Sequence, residues 1–240
     1  MNRFFVPKEQ IPIITGSDAH QIKNVLRLKP GAEIELLDGR GNVYFARIRE
    51  LATDKVTCEI ISTQQADSTA KIKITLAQCL PKAKKMDLII QKCTELGAAE
   101  IIPVLSERSI AKGDKNERWQ KIAKEAAEQS GRTTIPKIAP LTNLADVLKV
   151  QADLKLIPWE LENQESLKEA LISKYPNIHS PITQSPDILI LIGPEGGFSK
   201  SEVNQASLAG FIAVSLGKNI LRTETAGLAA LAMINYQFDL

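Results

Sequence analysis

Two similar strand, loop and helix patterns follow each other between residues 188 and 234. In the first, Ile188–Ile192 is an unbroken run of five apolar residues that a glycine–proline pair closes. Such a run is too short for a helix and is typical of a strand buried on both faces. Ser199 and Glu202 then have the spacing of a capping box. We therefore expect a helix from Ser199 to about Ala209, ended by Gly210.

The second pattern repeats the order of the first. Phe211–Leu216 predicts another buried strand, Gly217–Leu221 a second loop, and Thr223 the N-cap of an apolar helix over Ala226–Ile234. Strand, loop and helix in immediate succession place backbone N–H groups at the carboxyl edge of a sheet, where open α/β folds bind ligands. We therefore expect a ligand pocket in these two loops.

Strands alternate with helices through most of the chain after residue 70, which predicts a largely parallel α/β sheet. Pro103 suggests a strand end or an edge strand. Trp119 lies on an apolar helix stripe and is expected in the core, whereas Trp159 follows a strand and is better placed for a pocket. The predicted strands are Ile72–Ala77, Ile101–Val104 and Leu154–Ile157, and the predicted helices are Met86–Leu96, closed by Gly97, and one through Trp119 and Ala127.

The first 70 residues have a different, β-rich pattern. Glu33–Leu37 and Asn42–Ile48 flank an Asp-Gly turn, which is a strong hairpin signal, and Val56–Ile61 adds a strand. A short helix is expected between residues 18 and 28, so these elements suggest a small barrel. Ser62–Ala70 is polar and predicts a linker. We accordingly place two domains at residues 1–68 and 71–240.

Composition is that of a globular protein. Hydrophobic residues make up 44% of the 240 positions, and no apolar run approaches the ~18 residues of a membrane span. The amino terminus lacks a signal-peptide pattern, so a cytoplasmic location is expected. Cys58, Cys79 and Cys93 have no metal-ligand spacing and are expected to be small buried hydrophobes. With two histidines in the chain, we expect no metal site.

Charge is unevenly distributed along the chain. The formal net charge is only +2, but residues 71–132 contain 13 basic and 8 acidic side chains. This excess of five is compatible with an electrostatic footprint for nucleic acid. Solvated helix faces would produce the same excess, so the pattern alone leaves both interpretations open.

The glycine loop at residues 193–198 matches neither common nucleotide motif. It lacks the Gly-x-Gly-x-x-Gly spacing, and it lacks the Gly-Lys-Ser/Thr ending of a phosphate-binding loop. Glu195 would also repel a triphosphate. A ligand with a cationic centre and one carboxylate fits this loop better, although a simple tight turn remains an alternative for Gly196 and Gly197.

Both loops, together with shorter blocks along the chain, resemble the RsmE family. The resemblance implies a SPOUT-class α/β trefoil-knot methyltransferase domain, a small amino-terminal PUA-like β-barrel that binds RNA, and a homodimer formed through the carboxyl-terminal domain. It further implies methylation of uridine N3 in small-subunit (16S) ribosomal RNA, with S-adenosyl-L-methionine as cofactor. The matching blocks are Asn2–Phe5, Val25–Arg27, Glu95–Gly97, Ser106–Ser109, Glu125–Arg132, Gly193–Phe198 and Leu216–Ala226.

The resemblance also assigns candidate residues. Arg222 and Glu195 are the catalytic candidates, since uracil N3 reacts best as an anion that a nearby guanidinium would stabilise. Glu195 could accept the N3 proton or balance the positive sulfonium, and both roles stay open. The expected cofactor pocket consists of Ile192, Gly193, Pro194, Glu195, Gly197, Leu216, Gly217, Ile220, Leu221 and Arg222. The basic excess of residues 71–132 and the arginines inside the matching blocks add the expected RNA contacts, which are Arg3, Arg27, Lys82, Lys84, Lys85, Arg108 and Arg132.

Two other functional classes remain possible from the sequence. A non-catalytic RNA-binding or ribosome-assembly module could keep this fold after losing the cofactor. The intact residues of both loops favour an enzyme over that module. A nucleotide-dependent enzyme is disfavoured because the glycine loop lacks the phosphate-binding lysine.

Overall fold

The structure, a computed structural model, describes residues 1–65, 72–109, 115–176 and 185–238. The chain divides into two units, one comprising Met1–Ser68 and Ala127–Ile135 and the other comprising Thr69–Ala126 and Pro136–Leu240. The predicted boundary between residues 68 and 71 falls outside the described residues and stays a prediction.

The first unit contains a five-stranded sheet in the order β1-β3-β4-β5-β2. One face packs around a core that includes Phe4, Ile22 and Ile48, all almost fully buried. A short helix, α1, is followed by a π-helical turn over Gln21–Val25. The elements of this unit are β1 Asn2–Phe5, β2 Ile13–Thr15, α1 Gly16–His20, β3 Glu33–Leu37, β4 Asn42–Leu51 and β5 Lys55–Gln65.

The expected hairpin is confirmed. Strands β3 and β4 pair antiparallel from Glu33 opposite Arg47 to Leu37 opposite Val43. The Asp38 carboxylate closes the turn by accepting the backbone N–H of Arg40 at 2.8 Å and that of Asn42 at 3.1 Å. This is an aspartate turn that the Asp-Gly sequence encodes directly.

The predicted linker is partly wrong. Ser62–Gln65 continues β5 and pairs with the start of β4, from Ser62 opposite Phe45 to Gln65 opposite Asn42. Polar composition misled the sequence interpretation because an exposed strand needs only its backbone groups to pair. Residues 66–70 of the predicted linker lie outside the described residues.

The segment Ala127–Ile135 belongs to the first unit although it is distant in sequence. Ala127 is fully buried in a small cluster with Phe5 and Leu37. The Glu128 carboxylate accepts the backbone N–H of Phe5 at 2.8 Å. The first unit is thus built from two separate stretches of chain.

The second unit contains a parallel sheet in the order β12-β10-β11-β6-β7-β8, with β9 also paired to β7. Its central strands β6 and β11 are buried at every position after the first, as expected for strands covered on both faces. The strands are β6 Lys73–Cys79, β7 Glu100–Leu105, β8 Lys137–Ile138, β9 Thr142–Asn143, β10 Leu154–Pro158, β11 Asp187–Ile192 and β12 Phe211–Val214.

The helices follow the predicted alternation, and the Ser199–Glu202 capping box of α6 is confirmed. Trp119 is buried, as predicted. None of the helices in the described ranges is long and apolar enough to cross a bilayer. These helices are α2 Lys85–Glu95, α3 Asn116–Ser130, α4 Leu144–Val147, α5 Leu167–Lys174, α6 Lys200–Leu208 and α7 Thr223–Gln237.

Two local predictions are wrong. Thr223 is the first residue of α7 and not its N-cap, because its side chain turns inward and bonds elsewhere, while Arg222 takes the cap position. Pro103 lies inside β7, opposite Gln78 of β6. On its other side β7 pairs with β8 only as far as Ile101 and with β9 from Val104, so no partner there needs the N–H that proline lacks.

The three cysteines are buried, as expected. Burial raises the pKa of Cys58 to about 11 and the pKa values of Cys79 and Cys93 to about 12. All three thiols are therefore neutral near pH 7, which fits packing groups and not nucleophiles.

Candidate functional site

A cavity of about 540 Å³ lies at the carboxyl ends of β10, β11 and β12. These three strands are adjacent and parallel, so the loops that follow them meet at one edge of the sheet. The loop after β10 contributes Trp159, Glu160 and Glu162. The glycine loop, Gly193–Phe198, follows β11, and the second loop, Ser215–Arg222, follows β12.

The shape of the glycine loop depends on glycine at defined positions. Gly197 has φ +65°, and its N–H donates to the carbonyl of Pro194 at 2.9 Å. A Cβ atom at Gly197 would lie 2.5 Å from Oε1 of Glu160, and one at Gly193 would lie 3.1 Å from the ring of Phe198. A side chain at Gly197 would therefore strain the backbone and displace the Glu160 carboxylate, and one at Gly193 would require the Phe198 ring to shift. The loop is a tight turn that also forms a pocket wall.

The second loop is held by its first residue. The Ser215 hydroxyl is 3.2 Å from both the N–H and the carbonyl oxygen of Gly217. Gly217 has φ +125°, a conformation that side chains rarely adopt. Farther along the loop, Ile220 is 82% exposed although it lines the cavity, so it offers an apolar surface at the mouth.

Lys85, in the first turn of α2, lies between two carboxylates. Its Nζ is 3.1 Å from Oε1 of Glu195 and 3.1 Å from Oε2 of Glu224. The same oxygen of Glu195 accepts the backbone N–H of Lys82 at 3.0 Å. These contacts join the start of α2, the glycine loop and the first turn of α7.

The charges of this group support each other. Partial burial acts to raise the pKa of Glu195, but hydrogen bonds from the Lys82 amide and the Lys85 ammonium outweigh it, so the pKa lies below its usual value. Burial also acts to raise the pKa of Glu224, but hydrogen bonds, including one from Lys85, have the larger effect. The pKa of Glu224 is therefore lowered. Hydrogen bonds to Glu224 and Glu195 raise the pKa of Lys85. All three groups are therefore charged near neutral pH.

A buried polar chain fixes the start of α7 against the glycine loop. The Thr223 hydroxyl donates to the carbonyl of Gly193 at 2.6 Å and accepts from Nε2 of Gln78 at 2.9 Å. Gln78 is fully buried at the carboxyl end of β6. One threonine thus connects two parts of the chain that border the cavity.

All ten residues predicted for the pocket line this cavity. Arg222 is exposed, and its guanidinium makes no hydrogen bond or ion pair with another residue that the structure describes. It is therefore available to a ligand. Its charge also contributes to lowering the pKa of Glu224.

The residues predicted to contact RNA have diverse environments. In the second unit, Lys82 and Lys84 are exposed, whereas the side chains of Lys85 and Arg108 bind Glu195 and Gly196. In the first unit, Arg27 is exposed with φ +52°.

The other two predicted RNA contacts, Arg3 and Arg132, also belong to the first unit. Arg3 pairs with Glu35 at 2.7 Å and donates to the carbonyl of Gly131 at 2.5 Å. Arg132 is half-buried, and burial lowers its pKa.

Several residues at the cavity were missed by the sequence interpretation. Glu160 and Glu162 line it, and Gln78 and Glu224 support its walls. Gln78 offered a signal, since an amide directly after the apolar pair Leu76 and Ala77 needs a hydrogen-bond partner if it is buried. Nothing local marked Glu160, whose position depends on β10 lying between β11 and β12.

Comparison with known families agrees with this architecture. A model of the RNA methyltransferase domain matches residues 68–235, and a model of the RNA methyltransferase PUA domain matches residues 14–61. The Bacillus subtilis protein named ribosomal RNA small subunit methyltransferase E is 38% identical over an alignment of 253 residues. That alignment covers 100% of this chain and 98% of the relative.

Solved structures give the same result for the fold. A Neisseria gonorrhoeae ribosomal RNA small subunit methyltransferase E bound to S-adenosyl methionine superposes with a TM-score of 0.84 at 35% identity, covering 98% of this chain and 97% of that one. A putative methyltransferase from Legionella pneumophila with bound cofactor SAM also has a TM-score of 0.84, at 31% identity and the same coverage.

Proposed function

The chain belongs to the ribosomal RNA small subunit methyltransferase E family, and from this premise we propose that it methylates N3 of a uridine in 16S ribosomal RNA. Methylation of small-subunit ribosomal RNA with S-adenosylmethionine follows from family membership. The uridine N3 acceptor goes beyond it. The single observation that supports the acceptor is the exposed guanidinium of Arg222, which lines a three-loop pocket and has no hydrogen-bond or ion-pair partner among the described residues.

The pocket suits S-adenosylmethionine. Its volume of about 540 Å³ lies within the range of small-molecule sites. Glu160, Glu162 and Glu195 give it carboxylates for a cationic ligand, while Leu221 and Trp159 give it apolar surface. When bound, S-adenosylmethionine supplies an electrophilic methyl group on its sulfonium centre.

Arg222 would act on the base. Uracil N3 becomes a good nucleophile when its proton leaves to solvent water, and negative charge then spreads to the carbonyl oxygens beside it. A fixed guanidinium stabilises that charge as it develops, which accelerates the chemical step and not the binding step. Since Arg222 sits at the N-cap of α7, its backbone position is set by a regular element.

Glu195 would balance positive charge and would not take the N3 proton. Its pKa is lowered by the Lys82 and Lys85 hydrogen bonds, against the effect of burial, and a carboxylate so stabilised is a weak base. Replacing Glu195 with Gln should therefore weaken cofactor binding and leave the pH dependence of kcat unchanged. Loss of an acid limb from that profile, where activity falls as a general base becomes protonated, would restore the general-base role.

RNA would be held by exposed cations on each unit. Arg27 in the first unit, and Lys82 and Lys84 in the second, have side chains free of partners among the described residues. Arg3, Lys85, Arg108 and Arg132 were also expected to contact RNA, but their contacts or burial in the fold make them weaker candidates. A ribosomal substrate would place the enzyme in the cytoplasm.

A homodimer and a trefoil knot complete the proposal. The outer face of α7 carries Met233 and Tyr236, which are 41% and 84% exposed, and this apolar face suits a second copy of the chain. The knot would involve the loops at 193–198 and 215–222. An experimental structure in which the chain does not thread through itself there would refute the knot.

The function is tested by binding and product analysis. We expect calorimetric titration to detect S-adenosylmethionine but not ATP, and incubation with small subunits lacking the modification to yield 3-methyluridine by nucleoside mass spectrometry. Methyl transfer to another uridine atom would overturn the N3 proposal. RNA binding without any cofactor binding would favour the non-catalytic assembly module.

A further inference from the structure

A turn that follows β7 reaches the glycine loop across an intervening strand. In the sheet, β6 separates β7 from β11, yet Glu107 and Arg108 of this turn contact the glycine loop that follows β11 and the residue after it. Hydrogen bonds between its first and last residues close the turn. The N–H of Ser109 donates to the carbonyl of Ser106 at 3.1 Å, and the two hydroxyl groups are 2.9 Å apart. A turn closed by these hydrogen bonds can hold the loop residues that it contacts in place.

The first contact is made by Arg108 at Gly196. Its Nη1 donates to the carbonyl oxygen of Gly196 at 2.8 Å. The side chain also lies along the loop backbone, since a Cβ atom at Gly196 would be 3.4 Å from Cβ and 3.5 Å from Cδ of Arg108. Arg108 does not line the cavity. It therefore holds the loop from outside.

The second contact is made by Glu107 at the end of the loop. Its Oε2 accepts the Ser199 hydroxyl at 3.0 Å, and its N–H donates to Oε1 of Glu202 at 2.9 Å. Glu202 is only 5% exposed and also caps α6 through the N–H of Ser199 at 2.8 Å. Both ends of the segment from Gly196 to Ser199 are thus fixed by adjacent residues of one turn.

We propose that Arg108 is a positioning residue of the cofactor pocket. The carbonyl of Gly196 and the N–H of Gly197 belong to one planar peptide group, so holding the oxygen fixes the direction of the N–H. Gly197 lies at the tightest approach to Glu160, where a rotated peptide would change the pocket wall. This inference rests on the proposed cofactor function of the pocket. It assigns Arg108 to the cofactor site, whereas the sequence pattern assigned it to RNA.

The test compares Arg108→Met with Arg108→Lys and with Arg47→Met as control. Arg47 is a partly exposed arginine paired with Glu33 in the first unit, so its replacement removes the same charge without touching the loop. We expect Arg108→Met to weaken S-adenosylmethionine binding, measured by calorimetry without RNA, by about three- to tenfold, the worth of one hydrogen bond. Arg108→Lys should restore part of the affinity, and Arg47→Met should bind like wild type.

Two further measurements separate the alternatives. The thermal midpoint of Arg108→Met should match that of wild type, because an exposed side chain adds little to global stability. The salt dependence of its RNA affinity should also be unchanged. Wild-type cofactor affinity combined with a log–log salt slope flattened by roughly 0.7–0.9 would make Arg108 an RNA contact and overturn the inference. If wild type itself binds no S-adenosylmethionine, the proposed function fails instead.

Discussion

Gly197 is the residue on which the pocket wall depends most directly. An alanine there would need φ near +65° and would place Cβ 2.5 Å from Oε1 of Glu160. Backbone strain of this kind costs about 1–2 kcal/mol, and the displaced carboxylate would disturb the pocket. We expect Gly197→Ala to reduce S-adenosylmethionine affinity at least tenfold (about 1.4 kcal/mol) by calorimetry.

Gly210→Ala is the matched control for that variant. Gly210 has φ +88°, and no atom of the described residues lies within 4 Å of its Cβ position, so the strain is similar but none of these neighbours is displaced. It ends α6 outside the cavity lining. We expect it to lower the thermal midpoint and keep cofactor affinity. Equal affinity losses in both variants would mean that strain alone, and not the Glu160 contact, matters.

Arg222 should affect turnover more than binding. Arg222→Ala removes one preorganised donor, which is worth on the order of 100-fold in kcat. The dissociation constant for S-adenosylmethionine should change little, since the proposed partner of this exposed side chain is the base and not the cofactor. Arg222→Lys keeps the charge but loses the planar fork and should be intermediate.

Lys218→Ala serves as the charge control for Arg222. Lys218 is exposed in the same loop, and its removal changes the local charge by the same amount. A steady-state assay should show a small effect for Lys218→Ala. If the two variants lose kcat equally, or if Arg222→Ala weakens binding as much as rate, Arg222 is a binding residue.

At the residue scale, sequence identified the glycines because their chemistry is local. A tight loop between a strand and a capped helix needs glycine whatever the rest of the fold is. Gln78 and Glu160 were missed because their roles depend on which strands become neighbours. Thr223 was placed at the cap because helix-start statistics ignore an inward partner such as Gly193.

At the scale of elements, Lys85 ties α2 to the glycine loop and to α7, and this tie should be visible in acid. The pKa values of Glu195 and Glu224 are lowered because hydrogen bonds, including those of Lys85, outweigh burial. A carboxyl group whose pKa is lower in the folded state stabilises the fold at pH values above the ordinary glutamate pKa of about 4.3. This contribution to stability is lost as the pH falls through the folded-state pKa. Wild type should therefore lose stability below about pH 4.

Lys85→Met should change this loss of stability at acid pH. With the ammonium gone, both carboxylates titrate nearer their ordinary values, so the free energy of unfolding should vary less steeply between about pH 2 and 4. The variant should also be less stable at pH 7, where two carboxylates lose their shared partner. Denaturant unfolding across this pH range measures both effects. If the free energy of unfolding of the variant varied with pH as steeply as that of wild type, Lys85 would not set these pKa values.

Elements were predicted best where pattern and capping agree. Apolar runs located β11 and β12, and the Ser199 capping box located α6. The end of β5 was missed because exposed strand residues carry no apolar signal, and the interior proline of β7 was misjudged because a gap between β8 and β9 cannot be seen from local sequence.

At the scale of the whole molecule, exposed cations should give RNA binding its salt dependence. Removing Lys82 and Lys84 together should flatten the log–log slope by about 1.4 if both meet single-stranded phosphates. Cofactor affinity should be unchanged, because Lys82 serves the pocket through its backbone N–H, which alanine keeps. RNA affinity measured at several salt concentrations tests this.

A double substitution of Lys168 and Lys174 by alanine is the control. Both are exposed on α5 and remove the same charge. Their slope should match wild type. Identical slopes for the two double variants would show that charge anywhere on the surface has the same effect and that Lys82 and Lys84 form no specific footprint.

The oligomeric state tests the outer face of α7. Tyr236 is 84% exposed, and Tyr236→Glu would place a charge on this apolar face. We expect sedimentation velocity to show wild type as a dimer at micromolar concentration and the variant as a monomer. Leu208→Glu is the control, since Leu208 is 91% exposed on α6. An active wild-type monomer would refute the dimer.

The strand order of the second unit has a consequence for protein synthesis. Strand β6 pairs with β11, whose residues lie more than a hundred positions later, from Lys73 opposite Asp187 to Gln78 opposite Ile192. A nascent chain that has emerged only as far as α5 therefore holds β6 with one edge unpaired. Such an edge invites pairing with other chains, and folding through distant contacts is slow. The period between emergence of β6 and of β11 is thus when a translating ribosome carries this chain in its most aggregation-prone form, and slower translation would lengthen it.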